Sequence, residues 1–176
     1  MKSLKLFCLL CLIVLAALTR CKKDQETVTP TDPCISKDCG IYGTCNQGTC
    51  NCDDPYEFDE TGKCSRLASL KFLGNYQTNE SCSNETAGSY PAQIIQNSFG
   101  ADSIVRITEV WQSFPYVTAV VKGDSIFIRR QKPISVPYYI EGKGKYVDGT
   151  VTINTKISYE HPEDYNEIIC TFTYTK

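Results

Sequence analysis

The chain of 176 residues holds one histidine, one methionine and one tryptophan, and nowhere gathers its 18 Lys and Arg residues into a block. A lone imidazole, His161, leaves little from which to build the usual hydrolase or metal constellations. It stands in an acidic stretch, Tyr159-Glu160-His161-Pro162-Glu163-Asp164, with no nucleophile motif beside it, and reads as a solvated loop residue. With a formal net charge of -2 and a pI near 5.5, the chain lacks the basic face that nucleic-acid phosphates demand. No Gly-rich phosphate loop is present either: Gly142-Lys143-Gly144 falls in a strand pattern with no helix after it. The acid pairs Asp53/Asp54 and Asp59/Glu60 lie in a cysteine-dense stretch with no room for a sugar-cleaving cleft. We therefore expect no catalytic residue, no cofactor and no enzymatic activity.

No apolar run is long enough to span a bilayer. The longest covers 6–18, thirteen residues, against the roughly 20 that a membrane helix needs. Preceded by Lys2 and Lys5, it matches the charged start and short apolar stretch of a secretory signal, which sets residues 1–20 outside the fold. The following Leu18-Thr19-Arg20-Cys21 resembles the lipobox of bacterial lipoproteins, with Arg20 where that family has a small residue. The resemblance implies lipidation of Cys21 and cleavage before it, and so a partner in the membrane itself. Residues 21–33 are polar and punctuated by Pro30 and Pro33, as a tether is. Lys22 and Lys23 followed by Asp24 next to the lipid Cys resemble the signal that carries some Gram-negative lipoproteins to the outer face of the outer membrane. The implied location is lipid-anchored, outer-membrane and facing the cell surface. From Cys21 onward, 15 basic residues against 20 acidic leave a net charge of -5.

Of the eleven cysteines, removing Cys8 and Cys11 of the signal and Cys21 leaves eight: 34, 39, 45, 50, 52, 64, 82 and 170. An even count in an exported chain reads as a disulfide framework. Six fall within residues 34–64, too short a segment to bury a core without covalent staples. Spacing alone leaves fifteen connectivities for them. The run Cys50-Asn51-Cys52-Asp53-Asp54-Pro55-Tyr56, with Cys64 closing it, resembles the C-terminal signature of EGF-like domains. That resemblance implies the pairs Cys34–Cys45, Cys39–Cys50 and Cys52–Cys64, with Tyr56 as the aromatic that packs on them. Asp32 alone before the first cysteine, and the short gap 46–49, do not match the calcium-binding members, so no calcium site is expected. Zinc is disfavoured because paired C-x2-C knuckles are missing.

From residue 71 onward no window sustains a 3.6-residue period, while Val151, Ile153, Thr155, Ile157 and Tyr159 alternate with polar neighbours. Similar runs at 72–78, 90–96, 104–110, 116–122, 125–130, 138–146 and 168–175 bring the strands to eight, spread over residues 67–176. Gly123-Asp124 and Asp148-Gly149 are two-residue hairpin signals, so successive strands should pair antiparallel. Such a meander protects its edges by closing into a barrel or splitting into a β-sandwich. A Cys82–Cys170 bond would require the first and last strands to lie together. Gly74-Asn75-Tyr76 and the placement of those two cysteines resemble lipocalin-like domains, which implies the barrel. The whole is expected to be all-β: an EGF-like module at 34–64, then an eight-stranded antiparallel barrel.

Function then reads as binding. The aromatic stretch Trp111-Gln112-Ser113-Phe114-Pro115-Tyr116 either rims a barrel mouth, with Trp111, Phe114 and Tyr116 against a sugar ring or apolar ligand, or plugs the end. The loop 132–137 is a second candidate at the same mouth. Protein, glycan and a small apolar ligand are the candidate partners. For a carrier of an apolar molecule the small residues Ala92, Ala119, Gly142 and Gly144 are the hints; a eukaryotic-type secreted EGF-like protein is the other alternative. Ser103 and Ser125, in Asp-Ser-Ile contexts, resemble bacterial O-glycosylation sites, and Asn79 and Asn84 would be N-glycan acceptors only in a eukaryotic setting.

Overall fold

The computed structural model describes residues 32–83, 87–98, 101–134, 136–159 and 167–176. The readings placed on the signal segment, Cys21, Asn84 and His161 lie outside them. Residues 33–176 form one compact unit.

The cysteine-dense stretch folds as two small hairpins. β1 (Gly43–Asn46) pairs with β2 (Thr49–Cys52), and β3 (Tyr56–Phe58) pairs with β4 (Cys64–Leu67). Disulfides join Cys34 to Cys45, Cys39 to Cys50 and Cys52 to Cys64. Buried apolar side chains are scarce in this module, and Cys39, Cys50 and Cys64 occupy its interior instead. The Tyr56 ring stacks on Tyr42 with centroids 3.5 Å apart. At the end of the second hairpin the Asp59 carboxylate accepts from the Ser65 and Thr61 hydroxyls and from the Thr61 and Lys63 amides. Those donors, Ser65 first, hold Asp59 well below the ordinary carboxylate range. The module extends past residue 64, since Leu67 is the register partner of Tyr56; a domain start at 67 would cut this hairpin.

A 3-10 turn (Ala68–Phe72) links the module to eight antiparallel strands: β5 (Gly74–Cys82), β6 (Gly88–Gln96), β7 (Ile104–Val110), β8 (Phe114–Lys122), β9 (Ser125–Gln131), β10 (Tyr138–Val147), β11 (Thr150–Tyr159) and β12 (Ile168–Thr175). Each pairs with its neighbours in sequence, and β12 returns to β5, so the sheet is a closed barrel and not a sandwich. The bond between Cys82 and Cys170 lies across that seam, where the two residues are direct register partners. Cys82 is thus the last residue of the first strand and not a position beyond it. Phe72, expected to open that strand, is instead fully buried in the 3-10 turn and closes one barrel end against Tyr146.

Strict alternation fills the interior. Val151, Ile153 and Ile157 on β11, Ile168, Phe172 and Tyr174 on β12, and Ile126 and Ile128 on β9 are all buried, while the intervening side chains face outward. The small residues pack closely against their neighbours. A Cβ on Gly144 would stand 2.2 Å from the Thr152 carbonyl oxygen, and one on Gly142 2.6 Å from that of Asn154. Glycine at both positions lets β10 approach β11 while β10 bends at the register shift between Ile140 and Gly142. Ala92 and Ala119 are buried in the same apolar cluster as Ile94 and Ile107.

The module seats on the end closed by Phe72. The Ala68 amide donates to the Pro55 carbonyl at 3.0 Å, and the Ser69 hydroxyl donates to the Asp102 carbonyl at 2.8 Å. Lys71, largely buried, bridges Glu57 of the module to Asp124 in the β8–β9 turn. Burial is the largest single effect on its ammonium and opposes the charge, but Asp124 and Glu57 together outweigh it and raise its pKa. At the opposite end of the barrel β7 turns into β8 through residues 111–113.

Candidate functional site

That opposite end is aromatic. Trp111 is 7% exposed and Phe114 fully buried. Tyr138 meets Trp111 edge-on at 5.3 Å and Tyr159 at 4.8 Å, and Phe114 stands 6.0 Å from Trp111. Trp111 and Phe114 are therefore tucked into the barrel end. Tyr116, the third residue of the expected rim, is not with them. It lies on the outer wall, 45% exposed, with the Arg106 guanidinium 4.5 Å from its ring centroid. The alternation that turns Val117, Ala119 and Val121 inward leaves Tyr116 on the outer face, and it breaks between Phe114 and Val117, where Pro115 and Tyr116 are both exposed.

Beneath the aromatics sits a carboxylate. β5 directs Tyr76, Thr78 and Glu80 inward, and Glu80 is 8% exposed. The Tyr90 hydroxyl donates to Glu80 Oε2 at 2.7 Å and accepts from the Trp111 amide at 2.9 Å. A single hydroxyl thus ties the acid to the tip of the β7–β8 hairpin. Burial, and then this donation to Glu80, push the Tyr90 phenol well above its ordinary pKa. Burial first and the Glu80 charge second do the same to Tyr174, so both phenols stay protonated. Glu80 fits because position 88, its register partner, has no side chain: a Cβ there would lie 2.9 Å from Glu80 Oε1. Thr78 is fully buried and its Oγ1 has no hydrogen-bond partner.

The hairpin that carries Trp111 is loosely joined to the wall. β7 pairs with β6 only from Ile107↔Ile94 to Val105↔Gln96, and β8 with β9 only from Val120↔Phe127 to Lys122↔Ser125. Above those points side chains take over. The Gln93 amide donates to Thr108 Oγ1 at 3.0 Å, and the Gln131 side-chain amide accepts from the Thr118 N–H at 2.9 Å and donates to its carbonyl at 2.7 Å. Pro91 and Pro115, on the flanking stretches, have no N–H to offer a ladder. A cleft of about 480 Å³ lined by Pro91, Thr108 and Pro115 lies on one flank, and one of about 450 Å³ lined by Tyr116, Gln131 and Ile134 on the other. At the tip Glu109, Trp111 and Gln112 all have positive φ, a conformation costly for residues with a Cβ.

Ser103 and Ser125 stand half-buried at the module end, away from this site. Among the described residues no group of His, Cys, Asp and Glu is placed to hold a metal ion. Sequence reasoning missed Thr78, Glu80, Gly88 and Tyr90. Every residue of 77–81 is polar, so composition marks no inner face there. Cys82 supplies the signal: bonded to buried Cys170, it fixes the parity that turns Glu80 and Thr78 inward.

No protein-family model matches the chain, and no curated protein does. Among solved structures, one from Bacteroides fragilis NCTC 9343, described as a "putative outer membrane protein", is similar at 12% identity over 65% of this chain, with a TM-score of 0.39. The match spans 55% of that protein's length.

Proposed function

We propose that this chain is an exported, lipid-anchored binding module of the outer membrane, displayed at the cell surface and non-catalytic, with its ligand engaged at the aromatic end of the barrel. On this reading residues 1–20 are removed, Cys21 carries the lipid, residues 22–33 are the tether, the stapled segment is an EGF-like module and the barrel is lipocalin-like. The observation that carries it is the seating of the module. The chain enters the barrel through the end closed by Phe72 and bridged by Lys71, so the end bearing Trp111, Tyr138 and Tyr159 is the one presented outward. Four disulfides suit an oxidising compartment. The close packing at Ala92, Ala119, Gly142 and Gly144 favours recognition at the barrel end over carriage of an apolar molecule in a central lumen.

Cell fractionation tests the anchor. Native protein is expected in the membrane fraction, and Cys21→Ala from which the signal segment has been cleaved in the soluble exported fraction with its disulfides intact. Retention of that cleaved Cys21→Ala chain in the membrane to the native extent would contradict the lipid anchor.

A further inference from the structure

We propose that the aromatic end of the barrel binds an organic cation, a primary ammonium on an aromatic or other apolar body, with Glu80 as its counter-ion. This rests on that end being the binding end and adds the chemistry of what binds there.

The first observation is a buried carboxylate, Glu80, with no cationic partner among the described residues. Among the described residues its one hydrogen bond comes from a neutral phenol on Oε2. A buried carboxylate is costly unless paired, and the remaining oxygen, Oε1, faces the place where residue 88 has no side chain. The second observation is independent of the first. Thr78, two residues along on the same inward face, keeps a buried hydroxyl oxygen without a partner, an acceptor that an ammonium donor can satisfy. The third is the surround: Tyr90 and Tyr174 are the register partners of Thr78 on either side and Phe172 is that of Glu80, with Trp111 tied to the acid through Tyr90. Ring faces attract cations, and more strongly when water is excluded.

Together these select the ligand. A neutral apolar molecule would leave the carboxylate uncompensated, and an anion would be repelled by it. An ammonium supplies the missing charge at Oε1 while its apolar body covers the rings. Access is through the β7–β8 hairpin. Its upper half is joined to β6 and β9 by side chains, so Trp111 can move aside without breaking the ladder that closes the barrel.

The test uses the full processed chain purified from its native membrane, titrated with 2-phenylethylammonium and, separately, with neutral 2-phenylethanol. Trp111 is the only tryptophan, so intrinsic fluorescence reports from the site itself. The ammonium is expected to give a saturable change, with the alcohol at least about tenfold weaker on the same protein. Glu80→Gln keeps an acceptor for Tyr90 and is expected to weaken the ammonium at least about tenfold while leaving the alcohol within about twofold. Glu109→Gln, an exposed acid at the hairpin tip, is the control for general electrostatics and should change neither. Absence of a saturable signal with the ammonium, equal binding of the two probes by the native protein, or unchanged ammonium binding by a folded Glu80→Gln would each overturn the proposal. The probe comparison on native protein needs no variant to fold. Retention of cleaved Cys21→Ala in the membrane would overturn the anchor and leave this titration standing, and a failed titration would leave the anchor standing.

Discussion

Replacing Cys82 and Cys170 together by alanine is expected to lower the stability of the barrel by about 4 to 5 kcal/mol, the chain-entropy value for so long a loop. The two residues are 88 apart in sequence yet directly opposed across β5 and β12. Their bond therefore removes from the unfolded chain the contact that is entropically hardest to make, closure of the last strand on the first. Urea unfolding followed by near-ultraviolet dichroism measures it. The control is Cys34→Ala with Cys45→Ala, whose loop of 11 residues lies in the module and whose loss should leave the barrel transition in place. Equal midpoints for the native barrel and the Cys82/Cys170 variant would mean that the seam is held by the ladder and core alone.

Phe172→Ala should cost about 3 to 5 kcal/mol, as deletion of a fully enclosed aromatic does. Phe172 has no exposure, is the register partner of Ile153 on β11 and of Glu80 on β5, and lies 6.4 Å from the Tyr174 ring. Ile169→Ala on the same strand, at a position 51% exposed, should change stability by less than about 1 kcal/mol. Denaturant midpoints of the two variants compare the faces of one strand. Similar losses at 169 and 172 would contradict an interior packed on one face only.

The eight strands were legible because period-two alternation is a direct imprint of a sheet with one wet face. Val151 to Tyr159 shows it most clearly, and β7 and β12 begin and end where the pattern does. Closure was legible only as a choice between barrel and sandwich, since alternation says which face is inward and nothing about what that face meets. Phe72 shows where local pattern fails. Its apolar character suits a strand, but burial at the barrel end offers it more contact than a place in the ladder, so β5 begins at Gly74. The aromatic stretch was legible in composition but not in orientation, because its positive-φ turn sends Trp111 and Phe114 inward while parity puts Tyr116 outside. Glu80 stayed hidden because a polar residue among polar residues carries no sign of burial.

The most direct test of the whole reading is the intact mass of the protein purified from its native membrane, before and after reduction. A chain that begins at Cys21, carries three acyl chains, and gains eight hydrogens on reduction of its four disulfides is the expected result. A chain that begins elsewhere, or one with an unmodified Cys21 thiol, would contradict the lipid-anchored binding module.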